Sequence, residues 1–340
     1  MKESSKYIMN KFLKITLNIL IFALIAGFGY YMIHSITSEK KISQSNEENI
    51  KENVNSPYKK INSFNANSHI ISFDISENLI YVAQINKVSV FDLSGNPQFN
   101  FKIEANIRDL RVENNTIYLL YPAKIELYTP NGVKIEEWKD CSDNSGYCSF
   151  TTTKDYVFVT DAENKHIVQY DKQGQFMRFI KSPHGFIIPS YTFGIININD
   201  TIYCSNSGRH KIESYTLDGE FITSFGKIGT ETGAFTGCCN PVYLEKTLDG
   251  NILTSEKGIP RISCYGRDGK FRGILFDSHI LGGGTTAYRI KVSEENIFIA
   301  GKNTISVYCS SGKIPLAPTA NGCAGCEKQC PFNANHSLPL

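Results

Sequence analysis

The sequence predicts an all-β fold, a six-bladed β-propeller that follows a single N-terminal transmembrane helix. Two observations support this prediction: a long apolar run near the N-terminus, and six copies of a strand-and-turn pattern over most of the remaining chain. The composition agrees, since 41% of the 340 residues are hydrophobic and 12% are aromatic. Such a chain can form strands packed around a core.

The apolar run covers residues 15–33, and its clearly polar members are Thr16 and Asn18. A helix of about 19 residues crosses a hydrocarbon core about 30 Å thick. Tyr30 and Tyr31 stand near the far end of the run, where an aromatic belt is expected. Lysines precede the run, so the positive-inside rule places the N-terminus in the cytoplasm and the rest of the chain outside. These lysines are Lys2, Lys6, Lys11 and Lys14.

A cleaved signal peptide is the alternative interpretation of this run. It would have a shorter apolar stretch ending in an Ala-x-Ala-like site, whereas Leu24 stands two residues before Ala26 and large residues continue to Ile33. An uncleaved anchor is therefore predicted, followed by a solvated tether. The predicted parts are a cytoplasmic N-terminus (1–11), the transmembrane helix (12–34), a polar tether (35–57), the propeller (58–318) and a cysteine-rich tail (319–340).

Six segments share one pattern: a short strand, a loop, a second strand that ends in an aromatic residue, and a turn with glycine. Their turn glycines lie about 37 to 50 residues apart, and such periods with several short strands each are typical of propeller blades. Glycine suits a tight hairpin turn because the backbone there has φ > 0. The six glycines are Gly95, Gly132, Gly174, Gly219, Gly269 and Gly312.

The second strand of each repeated segment is the third strand of its blade. The aromatic ring at its end is expected to be buried, because it can fill the wedge between neighbouring blades. The segment from Tyr58 to Phe64 precedes the first complete repeat. It is predicted to add the outer strand to the last blade and so to close the ring, which removes open sheet edges. The aromatic residues are Phe91, Tyr128, Tyr170, Tyr215, Tyr265 and Tyr308.

The pattern D-x-x-N-x-x-I-x-x-Y-x-x-x-G between Asp161 and Gly174 resembles an NHL repeat, and the resemblance covers about residues 60–318. The block GCCNP, followed by TSEKGIPR, resembles a group of bacterial exported NHL-type propellers. Some NHL-like propellers are lyases or lactone hydrolases, which implies metal-binding carboxylates or histidines near the axis. The corresponding strand ends here carry Gln84, Asp161, Asn206 and Glu256.

The longest interval between turn glycines contains Cys238 and Cys239, which the resemblance places near the mouth of the central channel. Adjacent cysteines rarely bond each other, so each is expected to need another partner or a metal, or to remain a thiol. Glu256, Lys257 and Arg261 follow in the same blade. Glu256 takes the place of Asp161 and Asn206 in neighbouring blades, which favours a strand-end hydrogen-bonding residue. The alternative is that Glu256, Lys257 and Arg261 contact a ligand at the channel mouth.

Three tail cysteines, Cys323, Cys326 and Cys330, have the C-x2-C-x3-C-P spacing of ferredoxin-type sites. Ala320 stands where the full motif has its first cysteine, so a [4Fe–4S] cluster needs a fourth ligand, for which Cys238 or Cys239 is the natural candidate. The alternatives are disulfides between the tail and the Cys238–Cys239 loop, as an exported chain favours, and another metal or free thiols. Cys141 and Cys148 form a second candidate disulfide, closed over a short local loop.

The formal net charge of +2 does not suggest a nucleic-acid surface, and no G-x-S-x-G, Walker or H-E-x-x-H motif occurs. The sequence therefore favours a membrane-tethered, extracytoplasmic binding or scaffold protein with a protein partner, carrying an iron–sulfur cluster for electron transfer. A channel-mouth enzyme of the lyase or lactonase kind is the alternative, and a disulfide-stapled interaction module without metal is a third interpretation.

Overall fold

The computed structural model describes residues 58–294 and 296–310, together with Ile21, residues 25–27, Gly29 and Tyr30. The predicted cytoplasmic N-terminus, most of the predicted transmembrane segment, the tether, residues 311–318 of the predicted propeller and the whole predicted tail lie outside this description. Among the described residues, no helix has the length and apolar character needed to span a bilayer. The chain divides into two compact units, Met1–Asn53 and Val54–Leu340, and the second of these contains the predicted propeller.

Six four-stranded antiparallel sheets form this second unit, one for each predicted blade. The inner strands are β2 (Ser72–Ser76), β6 (Asp109–Glu113), β10 (Tyr147–Thr152), β14 (Ile195–Ile198), β18 (Tyr243–Lys246) and β22 (Arg289–Ser293). The second strands are β3 (Leu79–Ala83), β7 (Thr116–Tyr121), β11 (Tyr156–Asp161), β15 (Thr201–Asn206), β19 (Ile252–Glu256) and β23 (Asn296–Ala300).

The other two strands of each blade lie farther from the axis. The third strands are β4 (Lys87–Asp92), β8 (Lys124–Tyr128), β12 (His166–Asp171), β16 (Lys211–Tyr215), β20 (Arg261–Tyr265) and β24 (Thr304–Ser310). The outer strands are β5 (Pro97–Lys102), β9 (Lys134–Lys139), β13 (Phe176–Ile180), β17 (Phe221–Phe225), β21 (Phe271–Phe276) and, for the sixth blade, β1 (Tyr58–Asn65). The loops hold one helical turn, α1 (Ser278–Leu281), and two 3₁₀ turns, Pro189–Tyr191 and Ser207–Arg209.

The predicted ring closure is confirmed. Strand β1 pairs antiparallel with β24, from Tyr58 opposite Ser310 to Asn65 opposite Thr304. The sixth blade therefore combines the first strand of the propeller with the last three, and neither end of the ring is left as an open sheet edge.

The turn glycines have a second role at the blade junctions. Gly132 has φ +82°, and a Cβ added to it would lie 2.2 Å from Cγ of Phe101 on the preceding blade. The Phe101 ring in turn packs 5.6 Å from that of Tyr128. The same relation recurs around the ring, so glycine lets each hairpin turn close against the outer strand of the blade before it. The pairs are Gly95 with Phe64, Gly174 with Trp138, Gly219 with Ile180 and Gly269 with Phe225.

Candidate functional site: the channel and its mouth

Charged side chains of the inner strands meet at the centre of the ring, and Asp109 on β6 connects four blades there. The residue is fully buried. It accepts hydrogen bonds from the hydroxyls of Ser72 on the first blade, at 2.6 Å, and Ser149 on the third, at 2.8 Å. Arg289 of the sixth blade donates to it through Nη1 at 2.9 Å. A single carboxylate thus ties the second blade to three others.

Lys291 on β22 connects the sixth blade to both of its neighbours. Its Nζ lies 2.9 Å from an oxygen of Asp74 on the first blade and 2.9 Å from an oxygen of Glu245 on the fifth. We call Asp74, Asp109, Arg111, Glu245, Arg289 and Lys291 the axial network. It holds three acids and three bases, which satisfies the requirement that buried charges be paired.

The network keeps Asp109 ionised. Burial alone would raise the pKa of its carboxyl group, but Arg111 and Arg289 and the hydrogen bonds from Ser72 and Ser149 hold that pKa well below its usual range. The guanidinium of Arg289 is fixed as well, because Nη2 donates to the Arg108 carbonyl at 2.8 Å and the group stacks 4.5 Å from the Tyr243 ring centre.

A cavity of about 600 Å³ opens at the end of the channel where the inner strands begin. All six blades contribute to this mouth cavity, each through the residues that lead into its inner strand. The contributing segments are 69–71, 107–108, 147–149, 190–194, 242–243 and 286–289, with 300–302 of the sixth blade completing the wall. This volume lies within the usual range for a site that holds a small organic molecule.

The lining of the mouth cavity is cationic and apolar. It includes Arg108, Arg289 and Lys302 but no aspartate or glutamate. Arg289 is already bound to Asp109, whereas Arg108 and Lys302 are exposed. Among the described residues, no carboxylate lies within ion-pairing distance of either. Apolar walls stand beside these charges, provided by Ile70, Ile71, Ile107, Phe193, Val242 and Ala287.

One segment of the cavity wall has strained backbone. Ser190 and Tyr191 have φ of +58° and +54°, which costs about 1–2 kcal/mol for each residue other than glycine. Contacts hold the segment in place: the Tyr191 hydroxyl donates to Glu163, and the Arg108 guanidinium lies 5.8 Å from the Tyr191 ring centre. Strain of this kind is concentrated at binding and catalytic sites.

The predicted ligand contacts Glu256, Lys257 and Arg261 do not line this cavity. Glu256 is fully buried and receives two hydrogen bonds from the Arg261 guanidinium, at 2.9 and 2.8 Å. Arg261 also donates to the Ala234 carbonyl. The charges of Glu256 and Arg261 therefore satisfy one another and hold the preceding loop, which is a structural role. The charge of Lys257 instead lowers the pKa of Cys239.

The other strand-end polar residues also bind loops and do not converge on the axis. Gln84 donates to the Ala66 carbonyl at 2.8 Å, Asp161 accepts from the Gly146 amide at 3.0 Å, and the Asn206 side chain accepts from the Ile187 amide at 2.9 Å. None of them lines the mouth cavity, so the metal or acid–base set implied by the NHL resemblance is not assembled by these residues.

Cys238 and Cys239 are both free thiols in this structure, which is one of the outcomes that the sequence left open. The two sulfurs lie 2.8 Å apart, so each has the other as its partner. Cys238 is exposed and Cys239 is buried. Their hydrogen bond raises the pKa of Cys238. Burial would raise the pKa of Cys239, but the contacts with Cys238 and Lys257 lower it below the ordinary value.

Cys323, Cys326 and Cys330 lie outside the described residues, so the [4Fe–4S] cluster remains a prediction. Within the described part of the chain, no group of three or more His, Cys, Asp or Glu residues is arranged to hold a metal ion. An iron site built on the Cys238–Cys239 loop would need ligands from the tail.

Cys141 and Cys148 are both free thiols in this structure. Cys141 accepts a hydrogen bond from the Tyr170 hydroxyl at 3.4 Å, whereas Cys148 lines the mouth cavity and donates to the Gly146 carbonyl at 3.2 Å. Burial raises the pKa of Cys148 to about 12, which keeps it a neutral thiol near pH 7. The disulfide between the two is not formed here and remains a prediction.

Sequence reasoning did not identify Arg108, Arg289, Lys302 or Asp109. The signal that could have found the first two is positional: each stands where a loop leads into an inner strand, as do most residues of the cavity lining. Asp109 shares this position as the first residue of β6, but its partners come from other blades, so the sequence does not show what it binds.

No protein-family model and no curated protein matches this chain, so membership of the NHL family remains a prediction. Solved structures are similar in fold. A catalytically inactive virginiamycin B lyase from Staphylococcus aureus with quinupristin covers 74% of this chain and 98% of its own, with a TM-score of 0.53 at 15% identity. The Pan2 WD40 domain of Neurospora crassa covers 77% and 98%, with a TM-score of 0.52 at 9% identity.

A Bacteroides thetaiotaomicron protein of unknown function is similar over 74% of this chain and 72% of its own, with a TM-score of 0.54 at 12% identity. At these identities the likeness concerns the fold alone. The chain is an all-β, six-bladed propeller that shares its fold with lyases and with WD40 domains.

Proposed function

We propose that this protein is a ligand-binding propeller whose mouth cavity takes an organic anion with an apolar body. The charge of the cavity is the observation that carries the proposal. Two exposed cations, Arg108 and Lys302, face a space of about 600 Å³ whose lining has no carboxylate. An anionic group there gains charge-assisted hydrogen bonds, and the apolar walls bury the rest of the ligand.

The fixed parts of the site favour binding. The axial network holds Arg289 in the wall of the cavity, so this part of the site is already ordered before a ligand arrives. A preformed site does not lose ordering entropy on binding. The strained segment at Ser190 and Tyr191 is held in the same way, by its contacts with Glu163 and Arg108.

Binding has more support than catalysis in this cavity. His69 is the histidine of the lining, and its Nδ1 lies 3.0 Å from the Lys302 carbonyl, which occupies one of its two ring nitrogens. No carboxylate of the lining stands near it to act as a second acid or base. The virginiamycin B lyases are similar in fold alone, so their activity is not carried over to this chain.

Titration with anilinonaphthalene sulfonate, an aromatic anion whose fluorescence rises in apolar surroundings, tests the proposal. The chain should bind it with saturable enhancement, and the double variant Arg108→Gln, Lys302→Gln should bind at least about tenfold more weakly, since each charge-assisted bond contributes roughly 1.5–3 kcal/mol. Lys154→Gln is the control, because Lys154 is exposed in the turn between β10 and β11, away from the cavity. Equal weakening by the control, or none by the double variant, contradicts the proposal.

We further propose that residues 12–34 anchor the propeller on the outer side of the cytoplasmic membrane. The apolar run and the four lysines before it support this proposal. Protease added to intact cells should degrade the propeller and leave a membrane-embedded N-terminal fragment. Complete protection in intact cells, with degradation after lysis, would place the propeller in the cytoplasm instead.

The protein partner of the predicted scaffold role also remains a proposal. The C-terminal carboxylate of a partner whose last residue is apolar would have the anionic and apolar chemistry that the cavity accepts.

A further inference from the structure

The Cys238–Cys239 pair stands beside the mouth cavity and is used by neither the cavity nor the axial network. The sulfurs are 2.8 Å apart, compared with about 2.05 Å in a disulfide. Cys238 is exposed and Cys239 has no exposed surface. One thiol can therefore meet a reagent from solution while the other lies directly behind it.

A rigid frame holds the two sulfurs in place. The Asn240 side chain donates to the carbonyls of Thr236 and Lys257, at 2.6 and 2.9 Å, and accepts from the Lys257 amide at 2.9 Å. Asn240 is itself buried. On the other side, His210 Nε2 lies 2.6 Å from the Gly237 carbonyl. The turn is thus hydrogen-bonded to two neighbouring segments, and these bonds fix its geometry.

The turn that holds the two cysteines leads directly into the wall of the mouth cavity. Val242 and Tyr243, three and four residues after Cys239, line that cavity, so the pair stands near its edge. The thiolate is the form of a cysteine that attacks a disulfide.

We infer that Cys238 and Cys239 form a redox-active vicinal dithiol that exchanges with a disulfide or dithiol of a protein partner. Adjacent Cα atoms are about 3.8 Å apart, less than the usual span of about 4.4–6.8 Å for a disulfide. A bond between these cysteines is therefore strained, and strained, exposed disulfides are the labile ones that take part in exchange. The inference does not depend on what the mouth cavity binds.

The exchange takes two balanced steps. The thiolate of Cys238 attacks one sulfur of the external disulfide, whose S–S bond breaks and whose leaving thiolate takes up a proton. The thiolate of Cys239 then attacks the Cys238 sulfur of the mixed disulfide and expels the second external thiolate, which is protonated in turn. The two cysteines lose two electrons and two protons, and the external disulfide gains them. The reverse sequence oxidises a partner dithiol.

The test uses the full chain with Cys323, Cys326 and Cys330 replaced by serine, so that the tail cannot contribute thiols. Equilibration in buffers of reduced and oxidised glutathione, followed by acid quench, alkylation and peptide mass mapping, should show loss of two alkylation sites within the peptide that contains Cys238 and Cys239. No stable glutathione adduct should remain on that peptide. A persistent adduct on Cys238, or two free thiols in the most oxidising buffer, overturns the inference.

Variants separate the two roles. Cys239→Ser should trap a glutathione adduct on Cys238, because the resolving thiol is gone. Cys141→Ser is the matched control, because Cys141 is a free cysteine that does not line the mouth cavity, and it should leave exchange unchanged. If Cys239→Ser does not fold, phenylarsine oxide provides the second measurement. It should bind the tail-substituted chain one to one through both thiols, and oxidation should abolish that binding; no binding overturns the inference.

Discussion

Asp109 and Arg289 stand 180 residues apart in the chain, yet the carboxylate and the guanidinium lie 2.9 Å apart at the centre of the ring. They belong to the second and the sixth blades, which are not neighbours. Their ion pair therefore adds a connection across the ring to the junctions around it. It also fixes the Arg289 guanidinium in the floor of the mouth cavity.

Asp109→Asn tests this connection. The substitution keeps the volume but removes the charge, and leaves the partly buried guanidinium of Arg289 without its ionised partner. We expect the free energy of unfolding to fall by about 3–5 kcal/mol, measured by urea unfolding with circular dichroism. Asp218→Asn is the control, because Asp218 is an exposed partner of Arg178 and such pairs contribute about 0–1 kcal/mol. Similar losses in both variants would contradict the role given to Asp109.

Glu126 leads to a prediction about acid stability. It is fully buried and accepts hydrogen bonds from Lys124, at 2.7 Å, and Lys134, at 2.6 Å. Burial would raise the pKa of Glu126, but these lysines and the Tyr128 hydroxyl lower it from 4.5 to about 2. A carboxyl group with a lowered folded-state pKa stabilises the fold above its unfolded-state pKa, and the stabilisation is lost as the pH falls through the folded value.

We therefore expect Glu126→Gln to be less stable than the parent chain at neutral pH, and the difference to shrink between pH 4.5 and about 2. Urea unfolding at a series of pH values measures it. Glu231→Gln serves as the comparison, since Glu231 is exposed and pairs with the exposed Lys227. A constant difference between Glu126→Gln and the parent across this pH range would show that Glu126 does not contribute to acid sensitivity.

The junction glycines can be tested by a matched pair of substitutions. Gly132 and Gly258 have almost the same backbone, with φ of +82° and +86°, but a Cβ on Gly132 would strike Phe101 while one on Gly258 would meet open space. Gly258→Ala should cost about 1–2 kcal/mol of stability for the left-handed conformation alone. Gly132→Ala should cost more, because overpacking adds about 1–3 kcal/mol. Equal losses in thermal or urea unfolding would mean that the junction yields to the added methyl group.

The repeat predicts the fold well because every blade must bury an aromatic ring and close a tight turn at the same positions. Tyr128 and Gly132 recur as a ring and a turn glycine at one spacing, so their burial and backbone could be expected from the pattern, and so could the closing role of Tyr58–Asn65. The axial network could not be predicted in this way. Asp109 and Arg289 are not part of the repeated pattern. The alternation of residues along an inner strand does not show which charges meet across the ring.

Cys238 and Cys239 illustrate a different limit. A disulfide between two adjacent cysteines is expected to be strained. The sequence therefore argues that each cysteine has a separate partner. In the structure Asn240 clamps the turn so that the sulfurs face each other. Side-chain hydrogen bonds of one loop decide this geometry, and neither the repeat nor the composition contains them.

Trp138 provides a reporter for the cooperativity of the ring. It is the one tryptophan of the sequence, is 4% exposed, and packs 6.1 Å from the Tyr170 ring across the junction of the second and third blades. Its fluorescence should be blue-shifted in the folded chain and should shift to the red when this junction opens. If the axial network and the six junctions act together, the fluorescence and circular dichroism transitions in urea should coincide. A fluorescence transition at lower urea would instead mean that this junction opens before the rest, and that the ring unfolds blade by blade.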